Sequence, residues 1–223
     1  MKVLIACEES QAVCKEMRRL GHEAYSCDIQ EPSGGHPEWH ILGDAVQALR
    51  GGIITTMDGV THNVGKWDML VAHPPCTYLS NAGACRLVKK IGGKRFYDAE
   101  RLEEGLEAKE FFMKFWTADI PRVVVENPVP SKIYRLPPYT QIIQSYEYGD
   151  PYSKRTCLWT RGVPLLVPSK VVEPICSWVS GGSKDAHGNK RSNVGAPFRS
   201  AKKRSKTFPG IARAIAEQLA GEA

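Results

Sequence analysis

Three short runs in this chain, residues 3–7, 67–72 and 122–125, are almost wholly apolar, and the stretches between them carry helical spacing. A strand with no polar face must be covered on both sides. The pattern therefore predicts an α/β fold: a mostly parallel sheet with helices on both faces. Residues 10–20 have apolar positions at helical spacing and stop at Gly21, and 23–27 read as a second strand running into Asp28. After a Pro/Gly-rich loop, 39–42 is a third strand, and Asp44 suits the N-cap of a helix over 45–49. The clearest helix is 98–117, with Leu102, Leu106, Phe111, Phe112 and Phe115 as its apolar stripe. Residues 141–146 and 156–160 read as a last pair of strands. Residues 209–220 read as a closing amphipathic helix, with proline in the tolerated first turn.

A chain of 223 residues can bury one real core. Nothing in it reads as a membrane span or a signal peptide. The seven cysteines are odd in number and none has C-x-x-C spacing, so reduced thiols in a cytoplasm are expected, with no metal site. The net charge of +6 is uneven. Between Lys184 and Lys206 lie eight cations opposed only by Asp185, a local +7 that leaves the rest of the chain near −1. Such a segment attracts polyanions by releasing counterions, and nucleic acid is the obvious candidate; a solvated loop is the plain alternative. The expected organisation is a catalytic core over 1–162, a short basic recognition segment over 163–206, and a C-terminal helix over 207–223 that packs back on the core.

In open parallel sheets, ligands sit beyond the carboxyl ends of the strands. Glu8, Asp28, Asp44, residues 73–76, Glu126 and Asn127 all fall at such ends. Cys76 follows two prolines, which stiffen its backbone and aim it at the sheet's edge. As a nucleophile it would need activation, since a free thiol has a pKa near ~8.5. Glu126 directly follows a dry strand, where desolvation is expected to raise its pKa towards that of a usable acid. Asn127 can orient it.

Three blocks occur in order: Pro75-Cys76 after a strand, Glu126-Asn127 after the next long helix and strand, then Tyr148-Gly149-Asp150-Pro151. With the closing Thr207–Ile215 stretch, they resemble the C5-cytosine DNA methyltransferases, and in size the small bacteriophage-type members. The matching blocks span most of 1–161 and the final helix. The resemblance implies a Rossmann-like fold and S-adenosyl-L-methionine as cofactor. It implies Cys76 as the nucleophile adding to cytosine C6 and Glu126 as the acid at N3, supported by Asn127 and by either Lys154 or Arg155. It places the cofactor against Glu8, Ser10, Asp28, Ile29, Asp44, Ala45, His73 and Pro75, with Asp28 holding the ribose hydroxyls. DNA is the implied partner, gripped by the basic segment 184–206 and by a glycine- and lysine-bearing loop over 81–97 that closes as a lid. Tyr78 and Trp178 are candidate aromatic contacts to the strand.

This sequence also departs from the family. Its glycine-rich first loop is here Ala6-Cys7-Glu8-Glu9-Ser10, its Gln-x-Arg-x-Arg block is out of register, and its recognition domain is cut to a short stretch. The motif His73-Pro74-Pro75 half resembles the Asp-Pro-Pro-Tyr block of amino-methyltransferases. Three other readings therefore stand beside the first: a pyrimidine enzyme acting on a free nucleotide, single-stranded DNA or RNA; an exocyclic-amino methyltransferase; and a catalytically inactive nucleic-acid-binding homologue.

Overall fold

In the computed structural model the chain runs β1 (Lys2–Ala6), α1 (Ala12–Arg19), β2 (Glu23–Asp28), β3 (His40–Leu42) and α2 (Ala45–Ala48). A hairpin of β4 (Gly52–Thr55) and β5 (Thr61–Gly65) follows, then β6 (Met69–Ala72) and α3 (Asn81–Ala84). A second hairpin, β7 (Val88–Ile91) with β8 (Lys94–Tyr97), leads to α4 (Ala99–Trp116), β9 (Arg122–Pro128), β10 (Gln141–Gln144) and β11 (Arg155–Arg161). Last comes α5 (Pro209–Ala214), which widens into π-type turns over Ile215–Ala220. The structure describes residues 1–84, 86–175 and 205–221. Trp178 and all of the 184–206 basic segment except Ser205 and Lys206 lie outside them. No described helix is long and apolar enough to cross a membrane.

Seven strands form one sheet in the order β10-β11-β9-β6-β1-β2-β3. The five from β9 to β3 are parallel, and β11 is antiparallel to both its neighbours. The chain builds outwards from β1 to β3, then returns to the other side of β1 with β6. The β1/β6 crevice is thus the topological switch point where such sheets bind ligands. The fold is the α/β, Rossmann-like one expected.

Alternation along the strands sorts the core. Val3, Ile5, Met69, Val71, Val124 and Leu158 pack with Val13 and Met17 of α1 and Ile211 of α5. Leu4, Leu70, Val123, Val125 and Trp159 pack on the other face with Phe112 and Phe115 of α4. The two faces share no residue, as period-two strands require.

The α4 stripe is not the one the spacing suggested. Leu106 is 48% exposed, whereas Gly105 is buried. The ring of Tyr134 lies so close to Gly105 that a Cβ there would be 2.2 Å from it. The inward line therefore runs through Gly105, and Leu106 turns to solvent. Residues 81–97 are not a plain loop either. They hold α3 and the β7–β8 hairpin, closed by Gly92 and Gly93 with φ of 57° and 79°. Two successive positive φ values are what a tight two-residue hairpin turn demands, and two glycines meet it without strain.

The closing helix docks on the Tyr148–Asp150 block. The Gly210 amide donates to Asp150 Oδ2 (2.8 Å), and a Cβ at Gly210 would lie 1.9 Å from the Tyr148 carbonyl oxygen. Only glycine permits that approach.

Candidate active site

The loop after β1 makes its turn without glycine. Cys7 and Gln11 take left-handed φ values of 59° and 56°, each costing about 1–2 kcal/mol for an L-residue. Gln11 is held there by its own side chain: Nε2 donates to the His36 carbonyl (2.8 Å) and Oε1 accepts from the His36 amide (3.1 Å). The buried Glu8 folds back on α1. Its Oε1 accepts from the Val13 amide (2.6 Å) and Oε2 from the Cys14 amide (3.2 Å). A carboxylate thus fills the helix N-terminus, the position where a dinucleotide's pyrophosphate sits in related folds. Burial raises the Glu8 carboxyl, opposed by the charge of His73 and the two amides.

Beside it, at the switch point, lies a cavity of about 600 Å³, within the roughly 300–1,000 Å³ range of small-molecule sites. Its wall gathers Glu8, Ser10, Asp28, Ile29, Asp44, Ala45, His73 and Pro75 with Cys76. Ile29 is 80% exposed, an apolar side chain standing at a ligand-sized hollow. Asp28 accepts the Gln30 amide on Oδ1 (3.0 Å). Asp44 caps α2 by accepting from the Val46 amide (2.8 Å), so it serves as both cap and wall. Among the described residues the lining carboxylates are Glu8, Glu9, Asp28 and Asp44, and the lining cation is Lys206. Lys206 is tied to Ser33 Oγ (2.6 Å) and to Glu9 Oε1 (3.5 Å).

The catalytic candidates stand where β6 ends and β9 runs on. β6 pairs with β9 as far as Ala72 opposite Val125, after which the chain turns off through His73. Glu126 and Asn127 are left beyond the last parallel partner but remain inside β9, paired with Leu158 and Cys157 of β11. His73 Nδ1 donates to Glu126 Oε2 (3.2 Å), and the Asn127 side-chain amide donates to the Pro74 carbonyl (3.2 Å), pinning the Pro-Pro-Cys turn to β9. The Ser80 amide closes the same turn on the Cys76 carbonyl (3.1 Å).

Strand alternation separates Lys154 from Arg155. Lys154 shares parity with Thr156 and Leu158, and Leu158 faces Glu126 across the ladder; Arg155 has the opposite parity and is exposed. Lys154 also stands 5.6 Å over the Phe208 ring. Its charge acts on both Cys76 and Glu126.

The direction of the Glu126 shift corrects the expectation. Burial does push the carboxyl up, but the Lys154 ammonium and the His73 hydrogen bond outweigh it, so it lies below the usual carboxylate range. Its folded value is below its unfolded one. The associated stability is therefore present above the unfolded pKa of about 4.3 and is lost as pH falls through the folded value. The Cys76 thiol moves the other way: burial and then Glu126 raise it, with Lys154 opposing. At neutral pH the resting site holds a thiol beside a carboxylate. Peptide-mapped iodoacetamide labelling of Cys76 should be slower at pH 7 than that of a free thiol, and should accelerate as pH rises. Glu126→Gln should move this labelling curve to lower pH and Lys154→Ala to higher pH. No movement in either variant would break the electrostatic link.

Several wall residues escaped the sequence reading. Phe111 was assigned to the core stripe, yet it lines the cavity while standing edge-on to Phe115 at 4.9 Å. Its offset from the 105–112–115 line was the available signal. Tyr78 is engaged by α4: the Arg101 guanidinium lies 4.8 Å over its ring, and Glu104 is its hydrogen-bond partner.

No known family profile matches this sequence, and no curated protein matches it. Among solved structures, one from E. coli described as a candidate DNA modification methyltransferase encoded within a prophage is similar over 83% of this chain. The identity is 12% and the TM-score 0.42, and this chain spans 56% of that structure's length. A likeness at this level says nothing of activity.

Proposed function

We propose that this protein is an S-adenosyl-L-methionine-dependent methyltransferase that acts on cytosine C5 in DNA through a covalent Cys76 adduct. The observation that carries the reading is Glu8. By filling the N-terminus of α1 it removes the phosphate site of an ordinary nucleotide-binding crevice and leaves a cavity whose described charged lining is four carboxylates against Lys206. Such a wall repels a pyrophosphate and suits an adenosine ligand bearing cationic sulfonium and ammonium groups. Asp28 would take the ribose hydroxyls, Ile29 would cover the adenine, and His73 with Glu8 would face the methionine end. Bound there, the cofactor supplies a methyl group to C5.

The protein's own part follows from the resting charges. Addition of Cys76 sulfur to cytosine C6 requires the thiol to lose a proton and N3 to gain one. Glu126, an anion whose charge the thiol feels, is suited to take the first and deliver the second, so no net charge builds on the ring. Lys154 steadies the carboxylate before the first step and after the second. After methyl transfer, the C5 proton is lost to solvent, and the N3 proton returns through Glu126 to the sulfur as Cys76 departs, which restores the aromatic ring. In duplex DNA the base must first leave the stack, at a cost of a few kcal/mol. The cationic segment 184–206 and the hairpin bearing Lys89, Lys94 and Arg95 would grip phosphate and offset that cost.

The test is to incubate purified protein with labelled S-adenosyl-L-methionine and, separately, duplex DNA, single strands, RNA and dCMP, then analyse nucleosides by mass spectrometry. The expected product is 5-methylcytosine in DNA. A label found only on an exocyclic nitrogen would replace this reading with the amino-methyltransferase one.

A further inference from the structure

His73 is used at one end only. Its side chain is 9% exposed, Nδ1 donates to Glu126 Oε2, and Nε2 is buried without a hydrogen-bond partner. A buried ring nitrogen left unpaired is a desolvated polar group with room for one partner. The same side chain lines the cavity next to Glu8.

We propose that His73 is a positioning residue that joins the two halves of the site: Nδ1 holds the Glu126 carboxylate, and Nε2 accepts a hydrogen bond from the cationic amino group of the ligand in the cavity. The tautomer follows from the chemistry. A carboxylate can only accept, so Nδ1 carries a proton; an ammonium can only donate, so in the filled site Nε2 is the nitrogen that offers a lone pair. Glu8 and Glu126 are the carboxyl groups coupled to the ring, and Asp28 and Asp44 line the same cavity, which favours a cationic ligand group there. Holding Oε2 leaves Oε1 of Glu126 for the pyrimidine. Filling the cavity would then fix the His73 ring, and with it the carboxylate, before the base arrives.

The proposal rests on the cofactor reading above, and two substitutions separate its ends. Asparagine presents an amide N–H near the Nδ1 position; glutamine presents an amide oxygen near Nε2. S-adenosylhomocysteine affinity by calorimetry reads the cavity end, and the Glu126 carboxyl titration followed by carbon NMR reads the other. His73→Gln is expected to keep affinity within about threefold of wild type while the Glu126 midpoint rises and kcat falls. His73→Asn is expected to keep the Glu126 midpoint near wild type but to lose about tenfold or more in affinity. Parallel loss of both properties in both variants, or loss of neither, overturns the proposal. If the wild type binds no S-adenosylhomocysteine, the cofactor reading and the Nε2 half fall together. The Nδ1 half is then decided by His73→Ala alone: a raised Glu126 midpoint supports it and an unmoved one overturns it.

Discussion

Cys76→Ser is expected to abolish 5-methylcytosine formation, by at least about 10³-fold, while leaving cofactor affinity and thermal stability near wild type. The size follows from the role: without sulfur addition at C6, C5 is not nucleophilic enough to accept the methyl group, and the alternative path has no covalent step to replace it. A serine hydroxyl ionises far less readily than a thiol, and at this position burial and Glu126 disfavour an anion more than Lys154 favours one. Stability should barely change because Cys76 is only half-buried, its backbone is fixed by the two prolines, and the Ser80 amide bonds its carbonyl whatever the side chain. Substantial methylation by Cys76→Ser, read as nucleosides by mass spectrometry, would shift the chemistry to an exocyclic nitrogen with His73-Pro74-Pro75 as the amine-binding turn.

Trp159→Ala is expected to have the largest effect on stability. Trp159 is fully buried at the centre of β11, opposite Val125. Its ring stands edge-on to Phe112 at 4.9 Å and to Tyr139 at 6.0 Å, and its indole N–H donates to the Pro137 carbonyl (2.8 Å). Truncation removes the β11 contact with Phe112 of α4, leaves a cavity, and orphans that carbonyl. Such core losses cost about 3–5 kcal/mol, or roughly 6–20 °C in melting temperature for a domain of this size. β11 also follows directly from Lys154, so the variant should lose part of the Lys154 influence on Cys76 labelling. A melting temperature within a degree or two of wild type would show that the α4 face is packed otherwise than described.

The strands were legible because burial on both faces writes itself into composition: residues 3–7, 23–27 and 122–125 each correspond to a strand of the observed sheet. The same logic reaches further than it was carried. Period-two alternation through Thr156–Trp159 already assigns Lys154 to the Glu126 face and Arg155 to the other. The β4–β5 hairpin was missed because only Ile54 and Val64 of it enter the core, too few to write a pattern. Leu106 misled because hydrophobicity cannot reveal that Tyr134, nearly thirty residues on, would press against Gly105. The site's electrostatics were the least legible part. Glu126 meets His73 across 53 residues of sequence and Lys154 across a strand pair. Burial alone, the one cause readable locally, pointed the wrong way.

The most direct test of the account is covalent trapping. Duplex DNA carrying 5-fluorocytosine, incubated with the protein and S-adenosyl-L-methionine, presents a ring from which the C5 substituent cannot leave as a proton, so the enzyme should remain attached. The account predicts a denaturation-stable complex whose peptide map places the nucleotide on Cys76. DNA that gains methyl groups on unmodified cytosine, yet yields no such adduct or one on another residue, would contradict it.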